Sequence, residues 1–563
     1  MHGLKIQHWL HFSKYSTLLH KIFVNLIFQW NRLWHYLLLG WIAEAIPFAY
    51  FSKNHPPMRS YLFTSLFFLV ALGLKAQTID QTQLDALTEK QWQSGLRLLN
   101  ELVSMPNDAV YPEQIAVNIA WCEAAFSKRN WSVERLDTGG IPLLLVEKKQ
   151  PNAKKTALFY FHVDGQAVDI SKWDQKDAYQ PVLKAQTAAG TWEALPMERL
   201  QTEYNADWRI FGRSTSDDKG PLAMLITAWD ALTAAGISPD YSVKIILDFE
   251  EEQGSPRLPA AVLTHKEKLK ADLMLIMDGP RHTSNLPTLS YGARGISELF
   301  LTTYGPKLPQ HSGHYGNYAP NPALLMSQLL SSMKNENGRV VIPGFYDGIT
   351  FTEAERKIFA AVPDNEPAVK KRLGLGRTDQ VGQSYQESIN YPSLNIKGLS
   401  AGYTGAQATT IIPAIAVAEL DMRLVPESDP VRLFELIKEH IRKQGFYITE
   451  KDPTDAERMA HPKIVKVGTS ISYQAFRTPM DSPVGAWLRK AMNRSFGADP
   501  VQIRISGGSI PISPFVDALG IPAVTIPTVN ADNNQHSPNE NLRLGNYKEG
   551  IRAIMSVLTE KMY

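Results

Sequence analysis

Apolar residues recur at three- and four-residue intervals over 84–102, where Leu84, Leu87, Trp92, Leu96, Leu99 and Leu102 fall on or near one stripe, and the same spacing returns over 115–126. That period predicts two amphipathic helices. Short unbroken apolar runs at 142–146 and 157–161, bounded by polar residues, predict strands buried on both faces. The patterns then alternate: helix over 222–232, strand over 243–249, helix over 259–269, strand over 273–277. Alternation of this kind predicts an α/β fold, a largely parallel sheet under helices. From about Leu299 the character changes to a Pro- and Gly-rich stretch reaching Pro322, a polar segment through Arg377, strands near 417–424 and a helix over 430–442. An inserted second domain is the expected reason. The first style returns after Pro479, with a helix over 484–496 and a strand over 523–527.

The chain has 563 residues, 44% hydrophobic and 20% charged, ample for two domains with their own cores. Its single cysteine, Cys122, excludes a disulfide scaffold and a thiolate metal cluster, so any metal must sit on His, Asp and Glu. Overall the chain carries 58 Lys+Arg against 56 Asp+Glu, but the first 76 residues hold seven of the bases and one acid, Glu44. The remainder is therefore slightly acidic, which argues against a nucleic-acid binder. Residues 58–76 join a short basic start to an apolar run and end on Ala76, the pattern of an export signal. A periplasmic or secreted protein is expected on that reading, with translation beginning at Met58 and residues 1–57 an upstream extension. The alternative is membrane anchoring by residues 1–57, whose apolar stretch over 33–51 is interrupted by Glu44 and Pro47. The mature chain is expected to have no stable membrane insertion.

Four polar sites stand at the ends of expected buried strands. His162 and Asp164, in HVDGQ, project from one face at the end of ALFYF. Asp217 and Asp218 precede the helix that begins in GRSTSDDKG, Glu250, Glu251 and Glu252 follow the strand over 243–249, and Asp278 closes LMLIMDGP. Each alone has an ordinary explanation: a hydrogen-bonded His–Asp pair, a helix cap, a solvated acidic loop. Together they fall on the carboxyl edge of a parallel sheet, where ligands collect. Facing carboxylates without a cation repel, and a pair of divalent metals resolves that repulsion. His536, after the strand AVTIP, offers a late imidazole to the same edge. Nitrogen and oxygen donors suit Zn2+, with Mn2+ and Co2+ as alternatives.

HVDGQ, GRSTSDDKGP, EEQGS, HSGHYG, RLVP, GGSIP and QHSPNE occur in the order found in the dinuclear metallopeptidases that include carnosine dipeptidases, glutamate carboxypeptidase and acetylornithine and succinyl-diaminopimelate deacylases. The chain resembles the carnosine dipeptidase branch most, over roughly residues 84–563. The resemblance implies a three-layer catalytic domain split into 77–293 and 475–563, with an α+β lid and dimerisation domain at 294–474. It implies that His162 and Asp278 hold one metal, Glu252 and His536 the other, and Asp217 both. Asp164 is then expected to orient His162, and Glu251 to act as general base in the hydrolysis of dipeptides or short peptides. A cis bond is expected between Asp217 and Asp218. In the lid, the resemblance casts His311 as an oxyanion-stabilising group reaching in from the partner of a homodimer. Arg423, Thr410, Gly508 and Ser509 become substrate contacts. Two places depart from the pattern: Val484 stands where that branch has a His, and Ile505 and Ser506 separate Arg504 from GGSIP. An N-acyl amino acid deacylase and a catalytically silent peptide-binding protein are the competing readings.

Overall fold

The computed structural model describes residues 79–563. The extension 1–57 and the segment 58–76 lie outside them. Eight strands form the main sheet, in the order Ser132–Leu136, Leu143–Lys148, Ser242–Asp248, Thr156–His162, Leu273–Ile276, Ala523–Thr525, Thr288–Ser290, Val501–Ile503. The four central strands run parallel, and antiparallel pairs flank them on both sides, so the sheet is mixed. Along Thr156–His162, Ala157, Phe159 and Phe161 enter one apolar cluster while Leu158 and Tyr160 enter another. This two-sided burial is what the unbroken apolar runs encode.

The first cluster is covered by the helices Gln81–Val103, Pro112–Ser127, Lys219–Ala234, Pro483–Phe496 and Leu544–Thr559. The second is covered by Leu258–Thr264 and Ser513–Leu519. The result is three layers, α/β/α. Gln81–Val103 is opened by a capping box in which Asp80 and Gln83 satisfy each other's backbone N–H. The helix expected over 259–269 is instead two, Leu258–Thr264 and Lys266–Leu269, broken at His265, whose Nε2 lies 2.8 Å from the carbonyl of Asp137.

A second sheet has the order Asn395–Ser400, Ile415–Leu424, Gly295–Tyr304, Ile464–Tyr473, Tyr447–Thr449. Gly295–Tyr304 alternates buried and half-buried residues, and the helices Pro322–Met333 and Pro430–Lys443 supply the apolar cover of its buried face. The segment read as merely polar holds the short helices Glu353–Ala361, Glu366–Leu373 and Tyr385–Ile389. Thr352 opens the first with a capping box to Glu355, so caps define these helices more than apolar stripes do. A further antiparallel sheet, Asn541–Arg543, Arg209–Phe211, Val182–Gln186 and Trp192–Leu195, was not expected from the sequence.

Candidate metal centre

The parallel strands Ser242–Asp248, Thr156–His162 and Leu273–Ile276 are neighbours and end on the same edge. His162 is the last residue of its strand, Asp278 follows Ile276 by two, and Glu251 begins a one-turn 3-10 helix just beyond Asp248. Asp217 comes from the loop before Lys219–Ala234, and His536 from the loop before Asn541–Arg543. In that second loop His536 has a positive φ of 58°.

These five side chains form two groups whose donor atoms lie within 4.8 Å of one another: His162, Asp217 and Asp278, then Asp217, Glu252 and His536. Asp217 belongs to both. Its Oδ1 lies 2.9 Å from His162 Nε2, and its Oδ2 lies 3.1 Å from His536 Nε2, which is also 3.3 Å from Glu252 Oε2. The Asp217–Asp218 peptide is cis.

The charges explain one another. Burial pushes the Asp217 carboxyl up, but hydrogen bonds from His162 and His536, with their positive charge, outweigh it and hold it below the usual carboxylate range. Burial, reinforced by the Asp217 charge, pushes Asp278 up to about 6 and Glu252 up to about 7. Burial also drives Glu251 well above its ordinary value. The hydrogen bond to Asp217 raises His536 to about 9. Protons are thus doing what a cation would do in their place.

The surrounding contacts fix the donors. Asp164 lies 3.4 Å from His162 Nδ1, but its two oxygens accept the backbone N–H groups of Glu251 and Glu252 at 3.1 and 2.9 Å. It therefore holds the turn that carries both glutamates, a contact the His-x-Asp spacing does not reveal. Gln166 donates to Glu252 Oε2 at 2.7 Å. Asp218 does not cap its helix through its side chain; it is buried and accepts the backbone N–H of His162 at 3.3 Å. Glu540 is fully buried and accepts from Arg213 Nη1 and from the N–H groups of Ser214, Ser216 and Asp217 at 2.8 to 3.1 Å. Sequence reading passed over Glu540 and Gln166. Glu540 had a signal, the last letter of QHSPNE.

In the smaller sheet, Arg423 Nη1 donates to Ser509 Oγ at 2.8 Å, which joins Ile415–Leu424 to the loop that also holds Gly508. His311 pairs with Ile411 on a two-stranded ribbon, and Ser312 N–H donates to the carbonyl of Thr410 at 2.9 Å. Both His311 and Thr410 are exposed, and neither hydrogen-bonds to the five clustered side chains. Val484 is core, and Arg504 is buried against Glu355 and Asn390 at 2.8 and 2.7 Å.

The chain matches Peptidase family M20/M25/M40 over residues 185–560. It belongs to that family. This M20 chain is 27% identical over 448 residues to the Cys-Gly metallodipeptidase dug1 of Schizosaccharomyces pombe, covering 78% of this chain and 87% of the relative. It is 25% identical over 429 residues to human Beta-Ala-His dipeptidase, covering 74% and 77%. Among solved structures, the M20 family metallo-carboxypeptidase Sso-CP2 of Sulfolobus solfataricus matches with a TM-score of 0.66 at 28% identity, covering 83% of this chain and 98% of that one. Human carnosine dipeptidase 1 shares the fold, with a TM-score of 0.65 at 22% identity and coverage of 85% and 98%.

The M20 donor set suits divalent metals: two imidazoles and three carboxylates, with no thiolate among them. Each oxygen of the buried Asp217 carboxylate faces a different imidazole, Oδ1 toward His162 and Oδ2 toward His536, which is the arrangement two cations sharing that carboxylate would need. The expectation of export is corrected by the relatives, since the Dug1 enzymes are cytosolic. An apolar run flanked by a basic residue and Ala76 is too generic a pattern to outweigh them, and it lies outside the described residues. Among those residues no helix is long and apolar enough to cross a membrane.

Proposed function

We propose that this chain hydrolyses the amide bond of dipeptides and other short peptides, with two divalent cations bound in the paired groups that share Asp217. The observation that carries the reading is that sharing, since a carboxylate common to two donor groups is what a dinuclear centre requires. His162 and Asp278 hold one cation and Glu252 and His536 the other, with Zn2+ the best match to the donors and Mn2+ or Co2+ as alternatives. When bound, the pair lowers the pKa of a water molecule and polarises the scissile carbonyl.

The chain's own residues do the rest. Glu251 takes the proton of the attacking water and delivers it to the leaving amine, and its raised proton affinity in the metal-free protein suits a group that must carry a proton. Asp164 keeps Glu251 beside Glu252 by holding both backbone N–H groups. Arg423 and Ser509, already hydrogen-bonded, receive the substrate carboxylate, with the guanidinium able to bind it through two parallel bonds. Gly508 and Thr410 complete that subsite.

The chain acts as a homodimer on this reading, in which residues 77–293 and 475–563 form the catalytic part and 294–474 the lid and dimerisation part. The exposure of His311 supports a role in a neighbouring site, where His311 of the partner subunit stabilises the developing oxyanion.

Glu251→Gln tests the assignment. It is expected to retain two metals per chain and lose turnover by roughly 10² to 10⁴. Near-full activity in that variant would show that Glu251 is not the base. Parallel assays on dipeptides and N-acyl amino acids separate a peptidase from a deacylase, and metal content below one ion per folded chain would leave only a peptide-binding protein.

A further inference from the structure

The carboxylate of Glu251 makes no hydrogen bond among the described residues, so its aim depends on the backbone turn that carries it. That turn is the 3-10 helix Glu251–Gln253, and it is held at both ends. At its start Asp164 accepts two N–H groups. At its end Gly254 adopts a φ of 79°, donates its N–H to the carbonyl of Glu251 at 2.7 Å, and accepts at its own carbonyl from Tyr473 Oη at 2.9 Å.

Tyr473 belongs to the other sheet. It is the last residue of Ile464–Tyr473 and pairs with Ile296 beside a register shift. Its neighbours lead into a separate two-stranded ribbon, in which Phe476 and Arg477 pair with Ala293 and Gly292, just after the main-sheet strand Thr288–Ser290. The two crossings touch closely here: a Cβ on Gly295 would come within 2.5 Å of the Tyr473 carbonyl. The fit at Gly254 is equally tight, since a Cβ there would stand 2.5 Å from Tyr473 Oη. Burial, then the charges of Glu251 and Asp248, holds the phenol up at about 12, so it remains a donor.

We propose that Tyr473 is a positioning residue for Glu251, fixing the far end of the base-bearing turn from the crossing between the two sheets. The inference rests on Glu251 being the general base. Through this contact, a shift of the second sheet at its crossing reaches the turn that carries Glu251.

The test is a double-mutant cycle on the metal-loaded enzyme with a dipeptide substrate. Tyr473→Phe, which removes only the hydroxyl, is expected to lower kcat about ten-fold, with KM within about two-fold and metal content unchanged. In Glu251→Gln the same substitution is expected to change the residual rate by less than about two-fold, because the group it positions is gone. Equal losses in the two backgrounds, or a loss that appears in KM or bound metal, overturn the proposal. Failure of the underlying reading looks different: Glu251→Gln alone then keeps its turnover.

Discussion

The edge of the main sheet and the separate ribbon of Gln310–His311 with Ile411–Ile412 both carry residues proposed for the same reaction, yet they are built differently. On the edge, His162, Asp217 and Asp278 are buried, and each stands on or beside an element fixed by the core. On the ribbon and beside it, His311 and Thr410 are exposed. Charges that must be held close together before substrate arrives need a rigid, desolvated scaffold. Groups that meet the substrate afterwards can be brought to it, by a lid or by a second subunit.

The sharpest way to break the comparison is Asp217→Asn, which weakens both donor groups at once. It is expected to lose bound metal and at least about 10³ in kcat/KM, measured by metal analysis and steady-state kinetics. If only one ion is lost, the sharing is not functional. His311→Ala tests the ribbon: a loss of about 10² to 10³ in kcat with both metals retained is expected. Mixing it with Glu251→Gln should restore part of the activity if sites are completed across a dimer, and no recovery means that each subunit works alone. Glu540→Gln keeps the shape but weakens the acceptor for Ser214, Ser216 and Asp217. It is expected to lower metal affinity by about 10- to 100-fold, read by competition with a chelator.

The pH dependence of metal uptake tests the cluster without any substitution. In the metal-free protein His536 holds its proton up to about 9, Glu252 to about 7 and Asp278 to about 6, and each must lose it to become a ligand. Metal affinity is therefore expected to rise from pH 6 to pH 9 by no more than about tenfold per unit per proton released. Calorimetric titration in two buffers of different ionisation enthalpy counts the protons. An affinity that is flat across that range would show that the cluster is not protonated as described.

The strands that lead to His162 and Asp278, Thr156–His162 and Leu273–Ile276, were legible because two-sided burial writes an unbroken apolar run. The helix Gln81–Val103 was legible from its stripe. The sheet joining Val182–Gln186 to Asn541–Arg543 was not, because its strands are three to five residues long and its partners come from opposite ends of the described chain. Local pattern carries no record of such pairing. Asp164 was assigned to His162 because alternation along a strand places them together. Its bonds to Glu251 and Glu252 arise only once a neighbouring strand lies alongside. Tyr473 offers no motif at all; its contact with Gly254 exists only because the second sheet returns to the first at that point.

One feature of the main sheet bears on how the molecule is made. Leu273–Ile276 has Thr156–His162 on one side, but its parallel neighbour on the other, Ala523–Thr525, is supplied only after the entire second sheet has been synthesised, and His536 comes later still. A nascent chain emerging from the ribosome therefore carries the acidic cluster with an open flank and without its closing imidazole. Such long-range closure makes folding slow and leaves an unpaired edge exposed meanwhile, so this enzyme is expected to lean on chaperones during its birth more than a protein of local contacts does.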